Sequence, residues 1–228
     1  MIRANRTLAH AEARRFYDRL GSWLDTQAFY EDSAVSRLLR YSRLDTARSV
    51  FEFGCGTGRV AARLLKSSLP QSSRYTAVDI SPVMVTRTLE RLRPWTGRVD
   101  VRLTDGSPAF PDESESYDRF LSTYVLDLLS EEETRQLLAE ARRLLAGGGL
   151  LCAASLSCGA TCISRTVARL WTRVQSFSPS LVGGCRPVHL VGYLAPTDWR
   201  IEHRETVTTF GIASEIIVAA KAVVPPSD

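Results

Sequence analysis

Lysine is nearly missing from this chain. Lys66 and Lys221 stand alone, so 27 of the 29 cationic side chains are arginine. A skew of that kind reads first as GC-rich coding, and only second as a basic face for lipid, phosphate or nucleic acid. The shortage has consequences. No Gly-Lys pair occurs, which excludes the phosphate-cradling G-x-x-x-x-G-K-[ST] loop. Neither lysine completes a Tyr-x-x-x-Lys pair. A long apolar run is lacking too: the longest uncharged stretch, Leu144 to Ile163, is broken by glycines, Ser and Thr and is no membrane span. The N-terminus is positive but has no apolar segment behind it, so no secretory signal is expected. Five cysteines, an odd number at irregular spacing, argue for a reducing compartment instead of a disulfide framework. The expectation is a cytoplasmic protein. No repeat or low-complexity tract occurs, and 44% hydrophobic with 24% charged residues excludes wholesale disorder. At 228 residues one large domain is expected.

Hydrophobic period then organises the chain. Residues 8–20 read as an amphipathic helix with Arg14, Arg15 and Arg19 outward, followed by a second helix over Ser33 to Leu44. Short apolar runs come next at Ser49–Phe53, Tyr75–Ile80, Val99–Leu103, Arg119–Val125 and Leu150–Ser155. Helical stretches fill the gaps at Gly58–Ser67, Pro82–Leu92 and Glu131–Leu145. Runs apolar along their whole length, separated by helices, predict a parallel sheet covered on both faces. Ser130 and Glu133 form a capping box for the helix at 131. Gly147-Gly148-Gly149 is expected to stop that helix and launch the next strand. A helix over Ile163–Val174 and two β-rich runs, Trp199–Phe210 and Glu215–Val224, close the chain. The predicted fold is a doubly wound, Rossmann-like α/β domain with an N-terminal helical extension.

The most informative segment is Val50-Phe51-Glu52-Phe53-Gly54-Cys55-Gly56-Thr57-Gly58-Arg59. A buried strand ends in a loop with glycine at every second position and passes directly into a helix. Such a loop lets a ligand approach the main chain, and the helix start behind it offers free N–H groups. The dinucleotide fingerprint G-x-G-x-x-G fails, because its third glycine falls on Arg59. A smaller ligand bearing a carboxylate fits E-x-G-x-G-x-G better. Asp79 ends the second strand, where a carboxylate can accept both ribose hydroxyls. Asp105 ends the third; its oxygen can accept from an exocyclic amine while the Gly106 N–H donates to a ring nitrogen. Taken together, the three strand ends argue for an adenosine-bearing ligand.

On these motifs the chain resembles the class I S-adenosylmethionine-dependent methyltransferases, in the small-molecule branch that includes quinone and phospholipid enzymes. The resemblance covers residues 45–155 closely and the C-terminal strands loosely. It implies S-adenosyl-L-methionine as cofactor and a seven-stranded sheet, mostly parallel, whose last strand is antiparallel. It implies that Glu52, Gly54, Cys55, Gly56 and Gly58 meet the methionine end and Asp79 the ribose. Ile80 and Met84 then pack on the adenine, and Asp105 with Gly106 reads its edge. Ser122 and Tyr124 match the wall beside the reactive methyl. Ser122-Thr123-Tyr124-Val125 replaces the Asn/Asp-Pro-Pro-aromatic motif of enzymes that methylate nucleobase amino groups, which counts against a nucleic-acid substrate. FYDRLGSWLD resembles a helical lid with Tyr17 or Trp23 over the cofactor. Residues 1–45 would form that lid, 46–155 the cofactor core and 156–228 the acceptor side.

The acceptor is the least defined part. Tyr124 and His189 are the candidate catalytic residues, and Arg186 a candidate for an anionic group on a small molecule. Asp127 reads as a helix start more than as a base. Lipid, quinone and anionic acceptors are all open, with peripheral membrane contact through the arginine-rich first helix. Cys158, Cys162, Cys185 and His189 can be drawn as a zinc or arsenite site, but their spacing lacks the tight knuckles of such sites, and no metal is expected. Two other classes stand beside the methyltransferase reading: an NAD-dependent oxidoreductase, and a catalytically silent protein of the same fold.

Overall fold

The computed structural model describes residues 28–159, 162–177 and 185–222, with Glu12, Arg14, Arg15 and Asp18 in helical conformation before them. The helices are α1 (Ala28–Tyr41), α2 (Arg59–Ser67), α3 (Pro82–Leu92), α4 (Glu131–Leu144) and α5 (Cys162–Phe177). The strands are β1 (Ser49–Phe53), β2 (Arg74–Asp79), β3 (Val99–Leu103), β4 (Tyr117–Thr123), β5 (Leu145–Leu156), β6 (Trp199–Thr209) and β7 (Ile212–Lys221). They form one seven-stranded sheet in the order β3-β2-β1-β4-β5-β7-β6. β1 to β5 are mutually parallel, and β7 is antiparallel to both β5 and β6. The mostly parallel sheet with an antiparallel final strand is the predicted fold class.

The apolar runs behave as the sequence requires. Val50, Tyr75, Leu121 and Cys152 point into one core with α1 and α2. Phe51, Phe53, Phe120 and Leu151 point into the other, against Leu137, Leu138 and Ala141 of α4. Successive strand residues alternate faces, so a strand with apolar residues at every position needs cover on both. The strands of the first crossover therefore end together, and β1, β2, β3 and β4 present their carboxyl ends along one rim.

Three boundaries differ from expectation. α1 starts at Ala28, five residues earlier than read, and a left-handed Arg43 (φ 47°) separates it from a short 3-10 turn at Leu44–Thr46. The three glycines do not form a loop. α4 runs straight into β5 at Leu145, and Gly147 to Gly149 lie inside β5 opposite a register shift between Tyr117 and Arg119. This is a bulge, where glycine supplies the φ of +77° at Gly148. β4 stops at Thr123 because Tyr124 takes a left-handed φ of 57°. The closing hairpin turns on Phe210-Gly211, both left-handed (52° and 81°), the twist that suits a two-residue connection.

Candidate functional site

The rim of strand ends holds a cleft, and the glycine loop is its floor. Gly54 and Cys55 donate their N–H groups to Val78 O at 2.9 and 3.0 Å, which ties the loop across β2. Gly54, Gly56 and Gly58 all have left-handed φ (76°, 53° and 73°). Two of them need glycine for different reasons. A Cβ at Gly54 would lie 2.3 Å from Cγ2 of Val125, so the close approach of the β4 end forbids it. A Cβ at Gly56 would meet no heavy atom within 4 Å, and Gly56 lines the cleft. The loop then enters α2 at Arg59, whose first N–H groups and dipole give that end partial positive charge.

Two buried acids flank the loop. Asp79 Oδ2 accepts the Gly56 N–H at 2.8 Å and its Oδ1 accepts the Ser81 N–H at 2.9 Å. Burial outweighs these hydrogen bonds and pushes its pKa up to about 6. Glu52, 1% exposed, accepts from the Tyr75 hydroxyl at 2.9 Å, and burial pushes it up to about 8. Both line the cleft together with Ile80 and Met84, the latter beside the Ser81 cap of α3. At the β3 end the cleft is lined by Thr104 and Gly106. Asp105 is exposed and turns its Oδ1 onto the Ser107 N–H at 2.8 Å, away from the lining that its neighbours form. The sequence thus places Gly106 at the cleft, while the side chain of Asp105 is spent on its own turn.

The far wall comes from β4, α1 and the segment after α5. Tyr124 lines it, 9% exposed, its hydroxyl 2.8 Å from Ser214 Oγ and its ring edge-to-face with Tyr30 at 5.8 Å. Burial raises its pKa far above the ordinary phenol. Ser122 is buried inside β4 with no partner for its hydroxyl and does not line the cleft. Asp127 is not a helix start, since α4 begins after the Ser130 cap, where the capping box forms as read. It is fully buried, its Oδ2 accepts the Leu156 N–H at 3.2 Å, its Oδ1 has no partner, and burial pushes it up to about 7. Glu31, on α1, enters the cleft lining next to Val35. Burial raises it to about 7, opposed by Arg59 at 3.5 Å, and Arg59 also bonds Asp32.

Two acceptor-side expectations are corrected. Arg186 is buried and directs Nε and Nη2 to the Leu129 carbonyl (3.2 and 2.7 Å), so it braces the chain and does not line the cleft. His189 is not brought to Tyr124. Its side chain is 70% exposed, lies outside the cleft and sits 3.6 Å from Glu215. Tyr124 meets Ser214 and His189 meets Glu215; adjacent residues of β7 face opposite sides, so the sheet separates the pair.

With this geometry in view, the family comparison is decisive for the core: residues 50–149 match the family model described as a methyltransferase domain. This span is similar to a methyltransferase domain, and the sheet that contains it has the Rossmann-like fold. No curated protein sequence matches it. Among solved structures, the chain is similar to the [4+2]-cyclase SpnF, with a TM-score of 0.74 and 16% identity over 97% of this chain and 100% of that one. The N-methyltransferase NodS from Bradyrhizobium japonicum, solved with S-adenosyl-L-homocysteine, gives 0.69 and 18% over 92% and 98%. A SAM-dependent methyltransferase from Thermotoga maritima gives 0.64 and 16% over 92% and 99%. At such identities the likeness concerns the fold alone.

The cleft suits the cofactor that a methyltransferase domain implies. The open side of Gly56 leaves room against the main chain, Glu52 and Asp79 supply acceptors, and Ile80 and Met84 supply an apolar wall. Sequence reading missed Glu31, Val35, Thr104 and Leu128 in the lining. Glu31 did leave a signal: it lies at i, i+4 and i+7 with Val35 and Leu38, a charge on the apolar stripe of its helix. The lid candidates Tyr17 and Trp23 lie outside the described residues. Nearby, Asp18 accepts from Ser81 Oγ at 2.5 Å and pairs with Arg14, and Arg14 and Arg15 are exposed. Cys158 is exposed and Cys185 buried in the cleft wall; the side chain of Cys162 lies outside the described residues. Among the described residues no group of three His, Cys, Asp or Glu could hold a metal ion, and no helix is long and apolar enough to cross a membrane.

Proposed function

We propose that this chain transfers a methyl group from S-adenosyl-L-methionine to a small-molecule acceptor. The observation that carries the reading is the convergence of the open Gly56 cradle with two buried acids, Glu52 and Asp79, at neighbouring strand ends. In this reading the loop amides and Glu52 face the methionine end. Asp79, held by the Gly56 and Ser81 N–H groups, faces the ribose. Ile80 and Met84 take one face of the adenine and Gly106 its edge. When bound, the cofactor supplies an electrophilic methyl on a sulfonium, so the protein's work is to orient a nucleophile and keep water out.

The NAD reading loses ground on two counts. Dinucleotide-binding sheets take the order 3-2-1-4-5-6, whereas here an antiparallel β7 is inserted beside β5. Arg59, in the place of the third glycine, is also engaged with Glu31 and Asp32. Thermal melting with S-adenosylhomocysteine, NAD or ADP tests the choice. At a hundred times Kd a ligand adds about 2.7 kcal/mol, a rise of about 5–10 °C for a chain of this size. S-adenosylhomocysteine should give that rise and NAD should give none; no response to S-adenosylhomocysteine overturns the assignment.

A further inference from the structure

The far wall of the cleft belongs to a lining that carries more acid than base, with Glu31, Glu52, Asp79 and Glu133 against Arg59. Glu31 and Tyr124 line it, with Cys185 between the elements that carry them. Behind this wall lies Asp127, fully buried, with one carboxylate oxygen bonded to Leu156 N–H and the other bonded to nothing. Its charge bears on Tyr30, Glu31, Tyr124 and Cys185 alike. The nearby cations offset this charge only in part. Arg59 is shared between Glu31 and Asp32, and Arg186, hydrogen-bonded to the neutral Leu129 carbonyl, is the one cation that favours the charged form of Asp127 against its burial. Above about pH 7, where Glu31 and Asp127 give up their protons, two carboxylates beside an aromatic ring repel an anion and favour a cation, by Coulomb attraction and by the negative face of the ring.

We propose that the acceptor is a small amine, bound as its ammonium ion against Glu31 and the Tyr124 ring, with Asp127 supplying negative potential from behind the wall. The inference rests on the methyltransferase reading and names the substrate class for that same site. Glu31 has a second task. An ammonium nitrogen has no lone pair, so one N–H bond must break. The nitrogen keeps the electron pair, and the proton passes to a Glu31 carboxylate oxygen, where a new O–H bond forms. Burial has already brought the proton affinity of Glu31 close to neutral pH, which suits it to accept. Asp127, bonded to the main chain of β5, is a positioning and field-setting residue and not the acceptor of the proton.

The test uses the full chain saturated with S-adenosylhomocysteine and three probes of similar shape: phenethylamine, phenethyl alcohol and phenylacetate, each titrated by calorimetry. The amine is expected to bind at least about tenfold more tightly than either of the others, the least that a charge-assisted contact gives. Glu31→Gln should remove that preference, and Glu31→Asp should restore part of it, with melting curves confirming that each variant is folded. Equal binding of amine and alcohol, tighter binding of phenylacetate, or a preference that survives in Glu31→Gln overturns the proposal. Should S-adenosylhomocysteine itself fail to bind the wild type, it is the methyltransferase reading that falls. Failure of the amine preference alone leaves that reading standing.

Discussion

The loop makes a prediction in which stability and binding separate. Consider Gly56→Ala. At φ 53° an alanine is strained by about 1 kcal/mol, but its methyl meets no protein atom within 4 Å. For a chain of this length that is a fall in Tm of about 2–4 °C. In the ligand complex the same methyl occupies space that the ligand is expected to fill. Overpacking of one methyl costs ~1–3 kcal/mol, or about 5- to 150-fold in Kd. Gly54→Ala is the contrast. It carries the same backbone strain, and its Cβ would sit 2.3 Å from Val125 Cγ2, which adds ~1–3 kcal/mol to the folded state itself. The two variants should therefore rank in opposite order: Gly54→Ala the less stable, Gly56→Ala the poorer binder per degree of Tm lost. Melting curves and titration calorimetry with S-adenosylhomocysteine measure both quantities. If Gly56→Ala melts as expected yet binds within twofold of wild type, the loop is not the seat of the ligand.

Two further outcomes follow from buried polar groups. Glu52 titrates near pH 8 in the folded chain against an ordinary 4.5, so between those values the folded state holds a proton that the unfolded state has released. Stability must fall as pH rises through that window, and Glu31, Asp79 and Asp127, also raised by burial, add to the fall up to about pH 7, 6 and 7. Glu52→Gln, which still accepts from Tyr75, should gain on wild type as pH climbs from 5 to 8.5; a wild-type Tm that rises steadily over that range contradicts the burial argument. Ser122→Ala removes a buried hydroxyl without a partner. It should leave stability unchanged or raise it by about 1 kcal/mol and leave S-adenosylhomocysteine affinity within twofold, whereas a tenfold loss of affinity would show that the hydroxyl turns toward the ligand.

The glycine-loop end of the cleft was legible because its constraints are local. Gly54, Gly56, Asp79 and Gly106 each end a strand, and strands that are apolar at every position fix both the layering of the sheet and the rim where those ends meet. Asp105 marks the limit of such reasoning. Position at a strand end puts its backbone at the rim, but the next turn decides where the side chain goes, and Ser107 N–H claimed it. The ladder defeated a second kind of inference. Gly147 to Gly149 have loop composition, yet the pairing of β5 with β4 and β7 absorbs them as a bulge.

The acceptor half was misread for a different reason: its residues meet only through long-range contacts. Arg186 and His189 lie three positions apart in an irregular segment, and nothing local tells one side of the sheet from the other. The deciding partners are Leu129 for the first and Glu215 for the second, 57 and 26 residues away. Burial then inverts the expected chemistry. An arginine read as an anion site is spent on a carbonyl, while an aspartate read as a cap is sealed behind Tyr124 and Cys185 with an unpaired oxygen. Where an anionic group was one of the acceptors left open, the wall holds Glu31 beside Arg59, with Asp127 buried nearby. Glu31 alone announced this in the sequence, because a glutamate set on the apolar stripe of a helix must find either a cation or a ligand, and Arg59 satisfies it only in part while holding Asp32 as well.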